Sequence, residues 1–231
     1  MEITALADMN LSVTENVFLC ILGPSGCGKS TFLRIVAGLE RASSGRVFYD
    51  GQEHMKPRRE IGMVFQSYSL MPWLNVLDNI ALGLDFAGVS KAKRIAIARE
   101  YLGMISMSDF GKALPCELSG GMQQRVAIAR ALANNPDVLL MDEPFGALDA
   151  YTRIIMQKEL LRIWEQHKVT ILFVTHSVDE AVYLADRIIL MSSSPGKIIR
   201  DITVTMPRGR ERSNPRFGEL TEELLTLLED A

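Results

Sequence analysis

The 231-residue sequence holds only three cysteines, Cys20, Cys27 and Cys116. Their spacings match neither a disulfide framework nor a zinc pattern, so a stapled secreted scaffold is excluded and a reducing compartment fits best. No apolar run approaches the about 18 residues of a membrane span, and the start Met1-Glu2-Ile3-Thr4 has no basic leader. A soluble, cytoplasmic chain is expected. Basic charge is not in excess, with 25 Lys and Arg against 28 Asp and Glu, a net charge of -3. That balance speaks against a polyanion binder working by counterion release, so nucleic acid is not an expected partner. Internal repeats and low-complexity tracts are lacking, and no aromatic precedes Phe18.

What is present is apolar for a soluble chain, at 48% hydrophobic residues. A surface buried against a partner and a well-filled parallel-sheet core both account for it. Short apolar runs bounded by turn residues recur at 17–22, 61–65, 138–141, 170–174 and 187–191. Separated by stretches of helical period, they predict buried strands of a largely parallel sheet with helices on its faces. Segments 6–13 and 45–50 read as edge hairpin strands, the second closed by an Asp50-Gly51 turn. From Trp73 to Leu118 no β-like run occurs. There Ile95, Ala98, Leu102 and Ile105 share one helical face behind Ser90, an N-cap residue type, which predicts an inserted all-helical lobe. After Met206 come Arg208, Arg210 and Arg212, read as a solvated linker, then a terminal helix with Phe217, Leu220, Leu224, Leu227 and Leu228 at helical spacing. His54 and His167 match no motif and are expected at the surface; Met63, Met104 and Met191 read as core filler.

The first chemical motif is Gly23-Pro24-Ser25-Gly26-Cys27-Gly28-Lys29-Ser30-Thr31, directly behind the first apolar run. It satisfies every position of G-x-x-x-x-G-K-[ST]. Its glycines let backbone amides turn onto phosphate oxygens, Lys29 reaches the terminal phosphates, and Ser30 offers a hydroxyl to Mg2+. The following helix aims its N-terminus at the same anion.

This loop alone leaves kinases, GTPases, helicases and transport ATPases open. Leu118-Ser119-Gly120-Gly121-Met122-Gln123-Gln124-Arg125 resembles the LSGGQ-type signature of ATP-binding cassette (ABC) ATPases, with Met at one position. A Ser N-cap before an amphipathic helix would explain Ser119, but not the glycine and glutamine pairs. Val138-Leu139-Leu140-Met141-Asp142-Glu143-Pro144 resembles the Walker B strand, which delivers two carboxylates at its C-terminal end. Gln66 is similar to the Q-loop glutamine, Ala147-Leu148-Asp149 to the D-loop, and His176 to the switch histidine. Leu70 to Ile80, Phe145 to Ala150 and Ser194 to Ile198 look like the nitrate/sulfonate/taurine importer subfamily.

The resemblance covers nearly the whole chain and implies an α/β P-loop NTPase (RecA-like) fold: a mainly parallel sheet, an edge antiparallel β-subdomain and an inserted all-helical subdomain. A single ABC ATPase domain over 1–231 is expected, with the catalytic core at 1–72 and 126–206, the helical lobe with the signature at 73–125, and a tail helix at 207–231. It implies an ATPase that uses ATP and Mg2+ to energise import of a small anionic solute such as nitrate, a sulfonate or taurine. Glu143 is then the general base, with Gln66 and His176 as its catalytic companions. Asp142, Ser30 and Gln66 serve the metal. Gly23 to Thr31, with Ser119, Gly120, Gly121, Gln123 and Asp149 from a second copy, hold the nucleotide. Implied partners are that second copy in an ATP-sandwich dimer, membrane permease subunits received around Gln66 to Trp73, and through them a solute-binding protein. The implied place is peripheral, at the cytoplasmic face of the membrane.

Two departures from the family pattern stand out. The aromatic that stacks on adenine falls at or before Met1, which raises the alternative of a non-catalytic assembly subunit with impaired nucleotide binding. Asn16 stands where a turn glycine is usual, although Asn tolerates the left-handed conformation.

Overall fold

The computed structural model describes residues 4–229. In chain order the elements are Phe18–Leu22 (β1), Lys29–Val36 (α1), Phe48–Tyr49 (β2), Gln52–Glu53 (β3), Ile61–Val64 (β4), Val76–Phe86 (α2), Lys91–Met104 (α3), Gly120–Leu132 (α4), Val138–Asp142 (β5), Ala150–His167 (α5), Thr170–Thr175 (β6), Val178–Leu184 (α6), Arg187–Met191 (β7), Ile198–Thr203 (β8) and Pro215–Glu229 (α7). They fall into two compact units. One joins the chain up to Pro57 with the chain from Thr170 onward, and the other is Arg58–Val169.

In the first unit every residue of β1 is buried. The run shows no polar alternation because parallel sheets are covered on both faces. β1 pairs in parallel with β6, Phe18 opposite Ile171 and Leu22 opposite Thr175, and in parallel with β7, Leu19 opposite Arg187. β8 lies antiparallel to β7, giving the order β6-β1-β7-β8. Phe18 and Phe173, both fully buried, meet with ring centroids 5.9 Å apart. α6 packs on β1 and β6, and α7 packs on α6. Asn16 turns the chain into β1 with φ 60°, and its amide donates to Thr170 Oγ1 at 3.0 Å. The side chain that stands in place of glycine thus adopts the left-handed conformation the turn needs.

The second unit pairs β4 with β5 in parallel, Ile61 opposite Val138 and Val64 opposite Met141. Helices α2, α3 and α4 pack on one another around Ile80, Leu84, Ile105 and Ile128, all fully buried. No strand occurs between Trp73 and Leu118, as the sequence predicts. Ala98, Leu102 and Ile105 are buried, whereas Ile95 is half-buried. Ser90 stands at the N-cap of α3, but its side chain makes no capping bond.

The β2–β3 hairpin forms at the predicted turn, with Asp50 at φ 49° and Gly51 at φ 71°, the mirror-image turn that matches strand twist. Segment 6–13, expected as a strand, is not one. Among the described residues it makes one parallel bridge, from Leu6 to Gly196, and Asp8 at φ 53° then breaks the extended course. His54, expected at the surface, is buried at 3% exposure, and its amide donates to Val47 O. The arginines after Met206 are not a solvated linker either. Arg210 is buried, and burial pushes its guanidinium below the ordinary arginine range, helped by the charge of Arg208. Its Nη1, with that of Arg208, donates to backbone carbonyls at the end of α6. Of the predicted α7 stripe, Phe217 and Leu224 are buried, whereas Leu220, Leu227 and Leu228 are half-buried.

Candidate functional site

In the first unit the phosphate-loop motif spans the gap from β1 to α1. Gly26 and Gly28 have φ of 79° and 97°, left-handed values that a Cβ would strain. Gly28 is the N-cap of α1, so no side chain caps this helix, and its first turn carries no acidic residue. The first-turn amides of a helix lack intrahelical partners and carry partial positive charge, which suits an anion. Lys29 is buried, and its Nζ donates to Gly23 O and Pro24 O at 2.8 Å each. Cys27, in the loop itself, is buried.

The loop leans on a segment that the sequence singled out only for subfamily likeness. A Cβ on Gly196 would overlap the carbonyl oxygen of Cys27, and a Cβ on Gly28 would lie 2.8 Å from Ala5 O. Gly196 is held there by bonds to and from the backbone on either side of Leu6, Gly196 N to Ala5 O at 2.9 Å and Ala7 N to Gly196 O at 3.0 Å. The Ser194-Pro195 peptide before it is cis. This buttress was missed in the sequence; the signal was a glycine inside Ser-Pro-Gly-Lys.

In the same unit His176 is exposed at the end of β6, while Thr175 before it is buried. Thr175 Oγ1 donates to Glu180 Oε2 at 2.6 Å and accepts from Ser177 N at 3.0 Å.

In the second unit Asp142 is the last residue of β5 and is buried. Glu143 follows at φ 42°, and its carbonyl accepts from Gly146 N at 3.1 Å, so the chain turns back on itself right after the carboxylates. Gln66 and Glu143 converge here. A Cβ on Gly146 would stand 3.8 Å from Gln66 Nε2 and 3.9 Å from Glu143 Oε2. Gln66 is exposed, and the loop behind it is clamped by Arg130, whose guanidinium donates to Tyr68 O at 2.8 Å and Ser69 O at 2.6 Å. Tyr68 and Ser69 both take positive φ, which accounts for so firm an anchor. Burial lowers the Arg130 pKa from its ordinary value. No motif pointed to Arg130; it sits on α4 one turn beyond the signature pattern.

Ser119 is exposed and caps α4, accepting from Met122 N at 3.3 Å. Gly120 is exposed, whereas Gly121 is buried, and a Cβ on it would lie 2.8 Å from Thr152 Cγ2. Gly121 is therefore needed where α4 passes α5. Gln123 directs its amide nitrogen to Pro115 O at 3.0 Å and Leu118 O at 3.2 Å, bracing the approach to the signature. Asp149 caps α5 through Thr152 N at 3.0 Å, and hydrogen bonds from the Thr152 side chain first and its backbone amide second hold the Asp149 carboxyl below the ordinary range. Asn79, fully buried in α2, accepts from Met71 N and donates to Met71 O and Leu74 O, which fixes the loop that displays Trp73 at 73% exposure. The position expected for a stacking aromatic, at or before Met1, lies outside the described residues.

Known proteins are similar to this chain over most of its length. The family model described as ABC transporter matches residues 6–146. An uncharacterised ABC transporter ATP-binding protein of Methanocaldococcus jannaschii is 51% identical over 229 residues, 99% of this chain and 86% of that protein. A taurine import ATP-binding protein of Rhizobium johnstonii is 46% identical, covering 97% of this chain and 88% of its own. A nitrate import ATP-binding protein of a Synechocystis species is 44% identical, with coverage of 98% and 89%. Among solved structures, a dimeric ATP-binding cassette in a post-hydrolysis state bound to ADP and Pi superposes with a TM-score of 0.76 at 37% identity, over 88% of this chain and 92% of that one.

Proposed function

We propose, from the premise that this chain belongs to the ABC transporter family as an ATP-binding subunit, that it hydrolyses Mg-ATP to drive import of a small anionic solute through a membrane permease. The observation that carries the reading is the convergence of Gln66 and Glu143 on Gly146, just past the buried Asp142. An amide and a carboxylate placed together can orient and deprotonate one water.

The residues present fit a nucleotide with Mg2+. The α1 N-terminus has no side-chain cap, and a Cβ on Gly26 would meet nothing within 4 Å, so an anion can be received there. Ser30, Asp142 and Gln66 are oxygen donors of the type that Mg2+ takes. Bound Mg2+ supplies charge neutralisation on the phosphate oxygens. In the proposed mechanism the amides of Gly26 to Thr31 hold the phosphates, and Lys29 turns from the loop carbonyls to the terminal phosphate. His176 steadies the transferred group, and Glu143 takes the proton of the attacking water. Ser119, Gly120 and Gly121, with Asp149, are assigned to the partner face, where a second copy of the chain would close over the nucleotide. Gln123 belongs to the same set through the backbone that it braces.

The layout we propose keeps 1–72 and 126–206 as catalytic core, 73–125 as lobe and 207–231 as tail. No described helix is long and apolar enough to cross a membrane. We place the chain at the cytoplasmic face, beside a permease supplied by a solute-binding protein. The relatives named for taurine and nitrate import support a small anion as cargo. The alternative of an assembly subunit without nucleotide binding is not favoured, because the relatives compared are named as ATP-binding proteins. The test is purified Glu143→Gln with saturating Mg-ATP. It is expected to retain ATP and run as a dimer by light scattering; a monomer that still releases phosphate at the wild-type rate would overturn the reading.

A further inference from the structure

α6 begins directly after the His176 loop and ends in an extended Ala185 at ψ 145°. A helix that stops this way leaves its last carbonyls without helical partners. Here the carbonyls from Val182 to Ala185 all accept from two arginines beyond Met206. Arg210 Nη1 reaches Val182 O at 2.8 Å, Tyr183 O at 3.3 Å and Ala185 O at 2.7 Å, and Arg208 Nη1 reaches Leu184 O at 2.9 Å. Arg208 Nη2 also pairs with Asp186 at 2.6 Å, and Asp186 accepts from the amide of Phe18 at the foot of β1.

The start of α6 is held by a third arginine. Arg212 forks onto Asp179, Nε to Oδ1 and Nη2 to Oδ2 at 2.6 Å each, and its guanidinium lies 4.4 Å over the Tyr183 ring. Asp179 is in the first turn of α6. That turn is tied to the residues flanking His176 through Thr175 Oγ1 to Glu180 Oε2 and Ser177 N to Thr175 Oγ1. A two-point fork fixes direction as well as distance, which a single ammonium does not.

We infer that Arg212 is a positioning residue for His176: by fixing the first turn of α6 through Asp179, the C-terminal segment sets where the His176 loop stands when the terminal phosphate arrives. The inference rests on the reading of His176 as a phosphate contact. The pair is half-exposed, so its contribution to global stability is small and its effect falls on local geometry.

The test is Arg212→Gln in the full chain. The expected result is a fall in kcat for ATP of about fivefold with KM within about twofold. The amides of Glu180 and Ala181, which donate to Ser177, should exchange about tenfold faster while those of β1 are unchanged. Reversing the pair, Arg212→Asp with Asp179→Arg, should restore kcat to within about twofold, whereas Arg212→Lys should not. In a His176→Ala background, Arg212→Gln should lower the residual kcat no further. Unchanged amide exchange with unchanged kcat overturns the inference, and so does an equal fractional loss of kcat in both backgrounds. If His176→Ala keeps full turnover, the reading of His176 falls and takes the inference with it. An impaired His176→Ala beside an unaffected Arg212→Gln overturns the inference alone.

Discussion

Helix α1 of the first unit and helices α2, α4 and α5 of the second begin in opposite ways. Asn75, Ser119 and Asp149 each spend a side-chain oxygen on a first-turn amide of their own helix, at 2.8, 3.3 and 3.0 Å. α1 starts from Gly28, which has no side chain to spend. Self-capping stabilises a helix and occupies the donors an anion would use. A helix whose N-cap is glycine in the left-handed region gives up that stabilisation and keeps its donors for a ligand. The contrast separates self-capped helix starts from one left without a side-chain cap, which the proposed function assigns to the phosphates, and it recasts the signature: Ser119 caps α4 whether or not a partner subunit brings a phosphate to it.

The strongest way to break the contrast is to disable each kind of start. Lys29→Ala is expected to lower Mg-ATP hydrolysis by about 10² to 10³-fold, whereas Asn75→Ala should leave turnover within about twofold and cost about 1 kcal/mol in a urea titration. Next in size is Gly28→Ala. Its Cβ would meet Ala5 O at φ 97°, so a loss of about 1–3 kcal/mol is expected, together with weaker binding of an ATP analogue by calorimetry. Ser119→Ala should cost about 1 kcal/mol as a lost cap. A kcat loss well beyond what that destabilisation explains would show a second duty for the hydroxyl.

The smallest effect concerns Asp149. Its folded pKa is depressed from the ordinary 3.8 by the bonds with Thr152. The stabilisation is therefore present above that value and lost as pH falls through the folded one. The stability difference between wild type and Asp149→Asn, followed by acid titration, should shrink below pH 3.8 and stay level above it.

Much of this was legible in the sequence, for physical reasons that also mark where legibility stopped. β1, β5, β6 and β7 appear where the apolar runs stand because strands buried over nearly their whole length must be mostly apolar; β4 also follows its run, although only Val64 in it is fully buried. Asp50-Gly51 announced its hairpin because few other pairs take two positive φ values. Segment 6–13 has a strand-like composition, yet among the described residues its one sheet-type contact is made by Leu6 with a distant glycine, which no local pattern reveals. Arg208, Arg210 and Arg212 read as solvated because arginine usually is; the carbonyl partners of Arg208 and Arg210 exist only because α6 stops in an extended residue, and the carboxylate partner of Arg212, Asp179, is distant in sequence. His54 carries no neighbouring signal of burial. In the site, the motif residues were readable one by one, while Arg130, Gly196 and Asn79, which hold motif loops in place, have no motif of their own.

The claim that the uncapped start of α1 receives the phosphates is tested most directly by backbone amide shifts on titration with Mg-ATP, in wild type and Lys29→Ala. The account predicts large, saturating shifts for residues 26–31 in wild type that are strongly reduced in Lys29→Ala, with the α2 amides capped by Asn75 unmoved in both. Shifts absent from residues 26–31, or of equal size at the start of α2, would contradict it.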